Sequence, residues 1–161
     1  MRFLGRQTNT LERLRNFLLV ILVLTLLGTG AELLLVGHFE EVWQWIPLVL
    51  IPLTLIVLAL LAASRKAALV RIWQGLMILF MLSGLTGLGL HWKGKMEFKR
   101  ESNPSLTGWK LFREAMQTES PPPLAPGVMI QMGLLGLAYA FRHPALELRS
   151  ENDLEEKGEH E

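Results

Sequence analysis

Four uninterrupted apolar runs dominate this chain and restrict it to one class of fold. They cover residues 17–36, 46–63, 72–90 and 124–141. An α-helix rises about 1.5 Å per residue, so about 20 residues cross a hydrocarbon core of about 30 Å. Glu32 is the only charged residue inside any of the runs. The pattern predicts an all-α integral membrane protein, specifically a four-transmembrane-helix bundle.

Composition excludes several functional classes. Half of the residues are hydrophobic and 19% are charged, against about 25% charged in an average soluble domain. The chain begins basic and ends acidic, whereas a nucleic-acid-binding protein carries a coherent basic face. The chain has no cysteine, which excludes disulfides, thiolate metal sites and thiol catalysis. Motifs for nucleotide binding, zinc hydrolysis or a serine nucleophile are also missing. We therefore expect neither an enzyme nor a nucleic-acid partner.

The charges of the loops predict an orientation, because Lys and Arg are retained on the cytoplasmic side. Residues 1–16 and 64–71 are basic, and residues 37–45 contain Glu40 and Glu41 but no Lys or Arg. This places both termini in the cytoplasm. The membrane domain then covers residues 17–142, followed by a flexible acidic tail over residues 143–161. The outer loop, residues 91–123, is also basic, although this orientation places it outside the cytoplasm.

A cleaved signal peptide is an alternative for the first run. The basic start, the apolar stretch and the small residues 28–31 fit that alternative. However, the apolar run continues to Val36, which is longer than the 7–15 apolar residues of a signal peptide. We therefore expect a span, and cleavage is the competing outcome.

The outer loop is predicted to contain structure of its own. Residues 95–99 alternate polar and apolar side chains, which favours an extended segment. Asn103 and Pro104 form a helix-start signal, and apolar residues follow at helical spacing. This predicts a short amphipathic helix, lying either at the membrane interface or on its own bundle as a lid. The apolar stripe consists of Leu106, Trp109, Phe112 and Met116.

Glu32 is the strongest single candidate for a functional residue. A carboxylate within a span is costly and usually faces the bundle interior or a cavity. It continues a small and polar stripe formed by Thr25, Gly28 and Thr29. One interpretation is a residue that couples protons or cations to transport. The other, which we favour, is that Glu32 lies near its helix end and reaches the interface or a neighbouring helix.

His38 and His91 form the second candidate. The predicted topology places them on the same side of the membrane, near Glu32, Glu40 and Glu41. Imidazole and carboxylate ligands suit zinc, iron or copper, and two histidines on facing helices can also hold a haem. Their spacing matches no ligand motif, and histidines flanked by Trp at this depth are typical of interfacial anchors. We therefore predict no metal or other cofactor.

Two pairs of small residues predict helix contacts. Ser83 and Gly87 are four residues apart in the third run, as are Gly136 and Ala140 in the fourth. This spacing lets helix backbones approach closely in a membrane. Gly84, Gly87 and Gly89 at the end of the third run can act as a hinge, but close packing is the more common role of small residues at helix contacts.

Together these features favour a non-enzymatic accessory, assembly or scaffold subunit of a membrane complex. The expected setting is a bacterial cytoplasmic membrane, with the lipid bilayer and either a membrane-protein partner or a homo-oligomer around the chain. The first alternative is a small oligomeric transporter or channel that uses Glu32. The second is a haem- or metal-binding redox subunit that uses His38 and His91.

Overall fold

In the computed structural model, the described part of the chain forms five α-helices. The structure describes residues 2–37, 40–64, 66–117 and 124–146, and no β-strand occurs within these ranges. A single 3-10 turn, Val42–Gln44, precedes the second helix. The helices are α1 (Arg2–Leu35), α2 (Trp45–Ser64), α3 (Ala67–Ser102), α4 (Gly108–Met116) and α5 (Leu124–Ala140).

Three of these helices are long and apolar enough to cross a membrane. The qualifying segments are Thr10–Leu35, Val42–Ser64 and Ala67–Ser102. The fourth apolar run forms α5, which has 17 residues and is therefore about 25 Å long. The prediction of an all-helical chain is confirmed, with three helices of spanning length and a shorter apolar fourth.

The four apolar helices pack in an antiparallel ring. α5 lies between α1 and α3, and α2 packs against α3 and more lightly against α1. Arg15 in the first half of α1 lies beside the residues that follow α5, and its guanidinium donates hydrogen bonds to the carbonyls of Phe141 and Arg142. A cation suits the C-terminal end of a helix because of the helix dipole. The core of the ring is formed by Leu22, Leu26, Trp73, Met77, Phe80 and Met132.

Much of the apolar side-chain surface points away from this core. Leu24, Leu34 and Leu82 are each more than half exposed although they lie within long apolar helices. Soluble monomers rarely expose continuous apolar patches larger than a few hundred Å². A surface of this kind indicates a bundle that is surrounded by lipid.

The third helix is longer than the sequence pattern predicts. It does not end near residue 90 but continues as regular helix to Ser102. The prediction of an extended segment at residues 95–99 is therefore wrong, because alternation over five residues is also compatible with a helix. The helix-start signal is misplaced as well. Asn103 ends α3, its backbone N–H bonding the carbonyl of Lys99, and α4 begins only at Gly108.

The amphipathic helix is present but buries a different face from the predicted stripe. Leu106, Leu111 and Ala115 are buried, and they hold α4 against the end of α3. Trp109 is 73% exposed and Met116 60%. Leu106 precedes α4, and the other three stripe residues share one face of the helix, distinct from the buried one. A helix of nine residues leaves the choice of its covered side undetermined by spacing alone.

Candidate functional site

A large cavity lies where four helices meet at one end of the bundle. We call this the α4 end, because α1 finishes there, α2 and α5 begin there, and α3 passes on towards α4. Leu33 in the last turn of α1, Pro47 in the first turn of α2 and Pro126 near the start of α5 all line the cavity. Its volume is about 900 Å³, at the upper end of the roughly 300–1,000 Å³ of small-molecule sites. We refer to it as the groove.

The floor of the groove is apolar. It is formed mainly by leucines of α2 and α3, including Leu50, Leu79 and Leu82, together with Met129 of α5. The two hydroxyl groups that line it are already engaged in short-range contacts. Thr86 Oγ1 donates to the carbonyl oxygen of Leu82 at 2.9 Å, and Ser83 Oγ lies 3.9 Å from the sulfur of Met129. The floor therefore suits a hydrocarbon chain.

The rim of the groove is polar and carries both signs of charge. His91 and Lys95 lie one turn apart on α3, and Glu41 and Gln44 come from the segment before α2. The Gln44 side-chain oxygen accepts the backbone N–H groups of Glu40 and Glu41 at 2.8 and 3.1 Å. This double contact holds the 3-10 turn in shape and so positions Glu41. The rim therefore offers a cation and an anion to a ligand above an apolar floor.

Glu32 does not contribute to the groove. It is exposed on α1, whereas its neighbour Leu33 lines the cavity. Of the predicted polar stripe, only Thr29 is buried in the bundle, and Gly28 is exposed. The buried face of α1 is instead formed by Leu22, Leu26, Thr29 and Leu33. The structure therefore places Glu32 near a helix end and away from the bundle interior.

The two histidines considered as candidate metal ligands differ in what the structure describes. His38 lies outside the described residues, so its distance from His91 is not tested. His91 is exposed at the rim of the groove. Within the described ranges, no group of three His, Cys, Asp or Glu residues is arranged to hold a metal ion.

The predicted packing residues lie at or near the contact between α3 and α5. Gly87 faces Pro126, and a Cβ atom added there would lie 3.2 Å from the Pro126 ring. Ser83 reaches Met129, Ala140 is buried, and the Gly136 carbonyl accepts a hydrogen bond from Trp73 Nε1 at 2.9 Å.

Of the two glycines with the closest backbone contacts, sequence reasoning expected close packing at Gly84 but did not single out Gly133. A Cβ atom at Gly84 would lie 2.5 Å from the carbonyl oxygen of Pro126, and one at Gly133 would lie 2.6 Å from that of Met77. Gly84 and Gly87 are three residues apart, as are Gly133 and Gly136. Pairs of glycine at i and i+3 share a helix face, so that spacing was the available signal.

A second exposed feature lies beside the groove on α4. The Phe112 ring contacts Trp92 of α3 with ring centroids 4.7 Å apart and stacks on Trp109 at 4.9 Å. Trp109 and Met116 point away from the bundle. We refer to Trp109, Phe112 and Met116 as the α4 aromatic face. It is an apolar surface whose Trp109 and Met116 the described part of the chain leaves exposed.

No protein-family model, curated protein or solved structure matches this chain.

Proposed function

We propose that this chain is a four-span, non-enzymatic accessory or assembly subunit of a membrane complex, and that its partner binds the α4 aromatic face. The observation that supports the proposal is the difference between the two sides of α4. Leu111 and Ala115 are buried and the helix packs on α3, while Trp109 and Met116 are exposed. Trp is among the residues that contribute most to binding energy at protein interfaces.

The mounting of α4 also favours a docking role. α3 leaves the predicted span as an unbroken helix, and α4 is packed against this extension rather than carried on an open loop. A surface held by a rigid element loses little conformational entropy when a partner binds. The partner class is a second membrane protein or a second copy of this chain with an apolar surface at the same depth.

The test is co-purification in mild detergent, with substitutions chosen among exposed residues. Trp109→Ala should release the partner, since interface Trp residues often contribute about 2 kcal/mol or more. Two controls should retain it: Lys110→Ala on the same helix, and Leu85→Ala on the exposed surface of α3. A monodisperse single chain, or a complex that survives Trp109→Ala, would refute the proposal. Quenching of Trp109 fluorescence by brominated lipid with an intact complex would show that α4 rests on the membrane instead.

The orientation belongs to the same proposal, with both termini in the cytoplasm and the α4 end outside. The chain has no cysteine, so single cysteines can report which side is accessible. Lys93→Cys should react with an impermeant maleimide added to intact cells, and Lys66→Cys should react only after lysis. The reverse pattern would invert the orientation without affecting the partner test.

Two competing functions are separated by simple measurements. Glu32 is exposed and outside the groove, so we expect Glu32→Gln to leave pH-driven flux in proteoliposomes unchanged. Loss of a measurable flux in that variant would favour a transporter. For a redox subunit using His38 and His91, the purified protein would show haem absorption or bound metal that is lost on replacing either histidine.

A further inference from the structure

The groove is long enough to hold a lipid from one leaflet of a bilayer. Its lining follows α3 from Leu79 to Phe98, a distance of about 28 Å at 1.5 Å per residue. One leaflet contributes about 15 Å of hydrocarbon and roughly 20–22 Å with its headgroups, which is half of the whole bilayer thickness. The deep part of the lining is apolar, and Glu41 and Lys95 lie nearer the α4 end, with Phe98 one turn beyond Lys95. A lipid likewise has apolar chains deep in the leaflet and a charged headgroup at its surface.

The groove is open sideways to the surrounding hydrocarbon. Leu79 and Leu82 line it and are still 49% and 54% exposed. A lipid chain can thus enter from the membrane without crossing a protein barrier. Filling the groove restores dispersion contacts that its apolar walls lack when it is empty.

The rim charges distinguish between headgroups. Lys95 and Glu41 both line the groove but, within the described part of the chain, they form no ion pair with each other. A phosphate accepts strong charge-assisted hydrogen bonds from an ammonium group, and a primary ammonium donates them to a carboxylate. A headgroup with a phosphate and a primary amine therefore satisfies both residues. An anionic headgroup would leave Glu41 facing a like charge, and a quaternary amine would have no N–H to donate.

We propose that the groove binds one phosphatidylethanolamine molecule from the leaflet at the α4 end. Its phosphate lies at Lys95, its ammonium group at Glu41, and its acyl chains lie along Leu50, Leu79 and Leu82. This is independent of the proposed partner on the α4 aromatic face, because none of the three residues of that face lines the groove.

A second crevice shows why the charged rim matters. It lies between α1 and α2, is about 470 Å³ in volume, and is lined by residues such as Gly30, Leu34 and Ile51. No charged residue lines it. It can accept acyl chains without selecting a headgroup, so selectivity in a binding experiment reports on the groove.

The experiment is native mass spectrometry of the full chain, released from nanodiscs. The nanodiscs contain equal amounts of phosphatidylethanolamine, phosphatidylglycerol and phosphatidylcholine with identical acyl chains. The wild-type chain should retain one phosphatidylethanolamine in about tenfold preference over the other two lipids, the size expected for a charge-assisted hydrogen bond that only one headgroup can complete. Equal retention of the three lipids, retention of none, or a preference for phosphatidylglycerol would overturn the proposal.

Matched variants locate the lipid. Lys95→Glu should lower retention of phosphatidylethanolamine about tenfold, whereas Lys93→Glu, two residues away and not lining the groove, should behave as wild type. Glu41→Gln should abolish the preference over phosphatidylglycerol, and Glu40→Gln should preserve it. Thr86→Phe should block the floor, with Leu85→Phe on the exposed surface as its control. If each variant matches its control while preference persists in the wild type, the lipid binds elsewhere and the assignment is wrong.

Discussion

Replacing Gly84 by Ala should separate α3 from α5 and destabilise the bundle. The added Cβ would lie 2.5 Å from the carbonyl oxygen of Pro126 and 3.0 Å from the backbone nitrogen of Ile130. Non-bonded heavy atoms pack at about 3.5 Å or more, so the helices must move apart by up to about 1 Å. Neither of these neighbouring atoms can rotate away, because both belong to the backbone of α5.

The cost follows from the contacts that this displacement weakens. A gap of about 0.5–1 Å forfeits a quarter to a half of each dispersion contact, and overpacking a close contact typically costs about 1–3 kcal/mol. Helices in lipid associate largely through close packing, because the hydrophobic effect contributes little to their association in that environment. We therefore expect Gly84→Ala to lower the free energy of unfolding by about 1–3 kcal/mol.

The matched substitution Gly75→Ala on the same helix should instead raise the free energy of unfolding. A Cβ at Gly75 would have no heavy atom within 4 Å, and Gly to Ala in an open helix stabilises by about 0.5–1 kcal/mol. The assay is denaturation by sodium dodecyl sulfate in mixed micelles, followed by circular dichroism. A Gly84→Ala bundle as stable as the Gly75→Ala bundle would refute the close approach of α3 and α5.

Three further substitutions test single contacts by the same unfolding assay. Arg15→Gln removes the guanidinium that bonds the carbonyls of Phe141 and Arg142 just after α5 and should cost about 0.5–1.5 kcal/mol, with exposed Arg13→Gln as a neutral control; equal effects would argue against this contact. Trp73→Phe removes the buried hydrogen bond to Gly136 and should cost at least about 1 kcal/mol of unfolding free energy; an unchanged stability would show that this bond does not form in solution. Thr54→Val replaces a fully buried hydroxyl that has no partner among the described residues, so it should stabilise by about 1 kcal/mol; destabilisation would show that the hydroxyl is bonded.

The positions of the apolar helices were largely predictable from the sequence. The predicted run 46–63 and the observed helix Trp45–Ser64 differ by one residue at each end, and run 124–141 and helix Leu124–Ala140 by one at a single end. Helix hydrogen bonds are local, and an apolar run in lipid must satisfy its backbone within itself. The exceptions are α1, which begins at Arg2 rather than at residue 17, and α3, which continues to Ser102. Both extensions carry charged residues and are invisible to hydropathy because they lie beyond the apolar runs.

The candidate site was less predictable, because it is made by residues distant in the chain. Glu41 and Lys95 were visible as charges, but their place on one rim depends on how α2 and α3 pack. Glu32 attracted attention as the one charge inside a run, yet only the packing of α1 shows that it is exposed and outside the groove. Whether a residue faces lipid, a cavity or a neighbouring helix is a property of the assembled bundle.

Composition and hydropathy alone determine the class of this protein, since transferring long apolar segments from water to lipid outweighs every other term in their placement. The distribution of Lys and Arg among the loops additionally predicts the orientation of the chain in the membrane. Tertiary structure decided which glycines bring α3 and α5 together, which side of α4 is covered, and that the helices leave a groove with charges at its rim. These features depend on ångström-scale complementarity between segments far apart in sequence, which no periodicity within a single segment encodes.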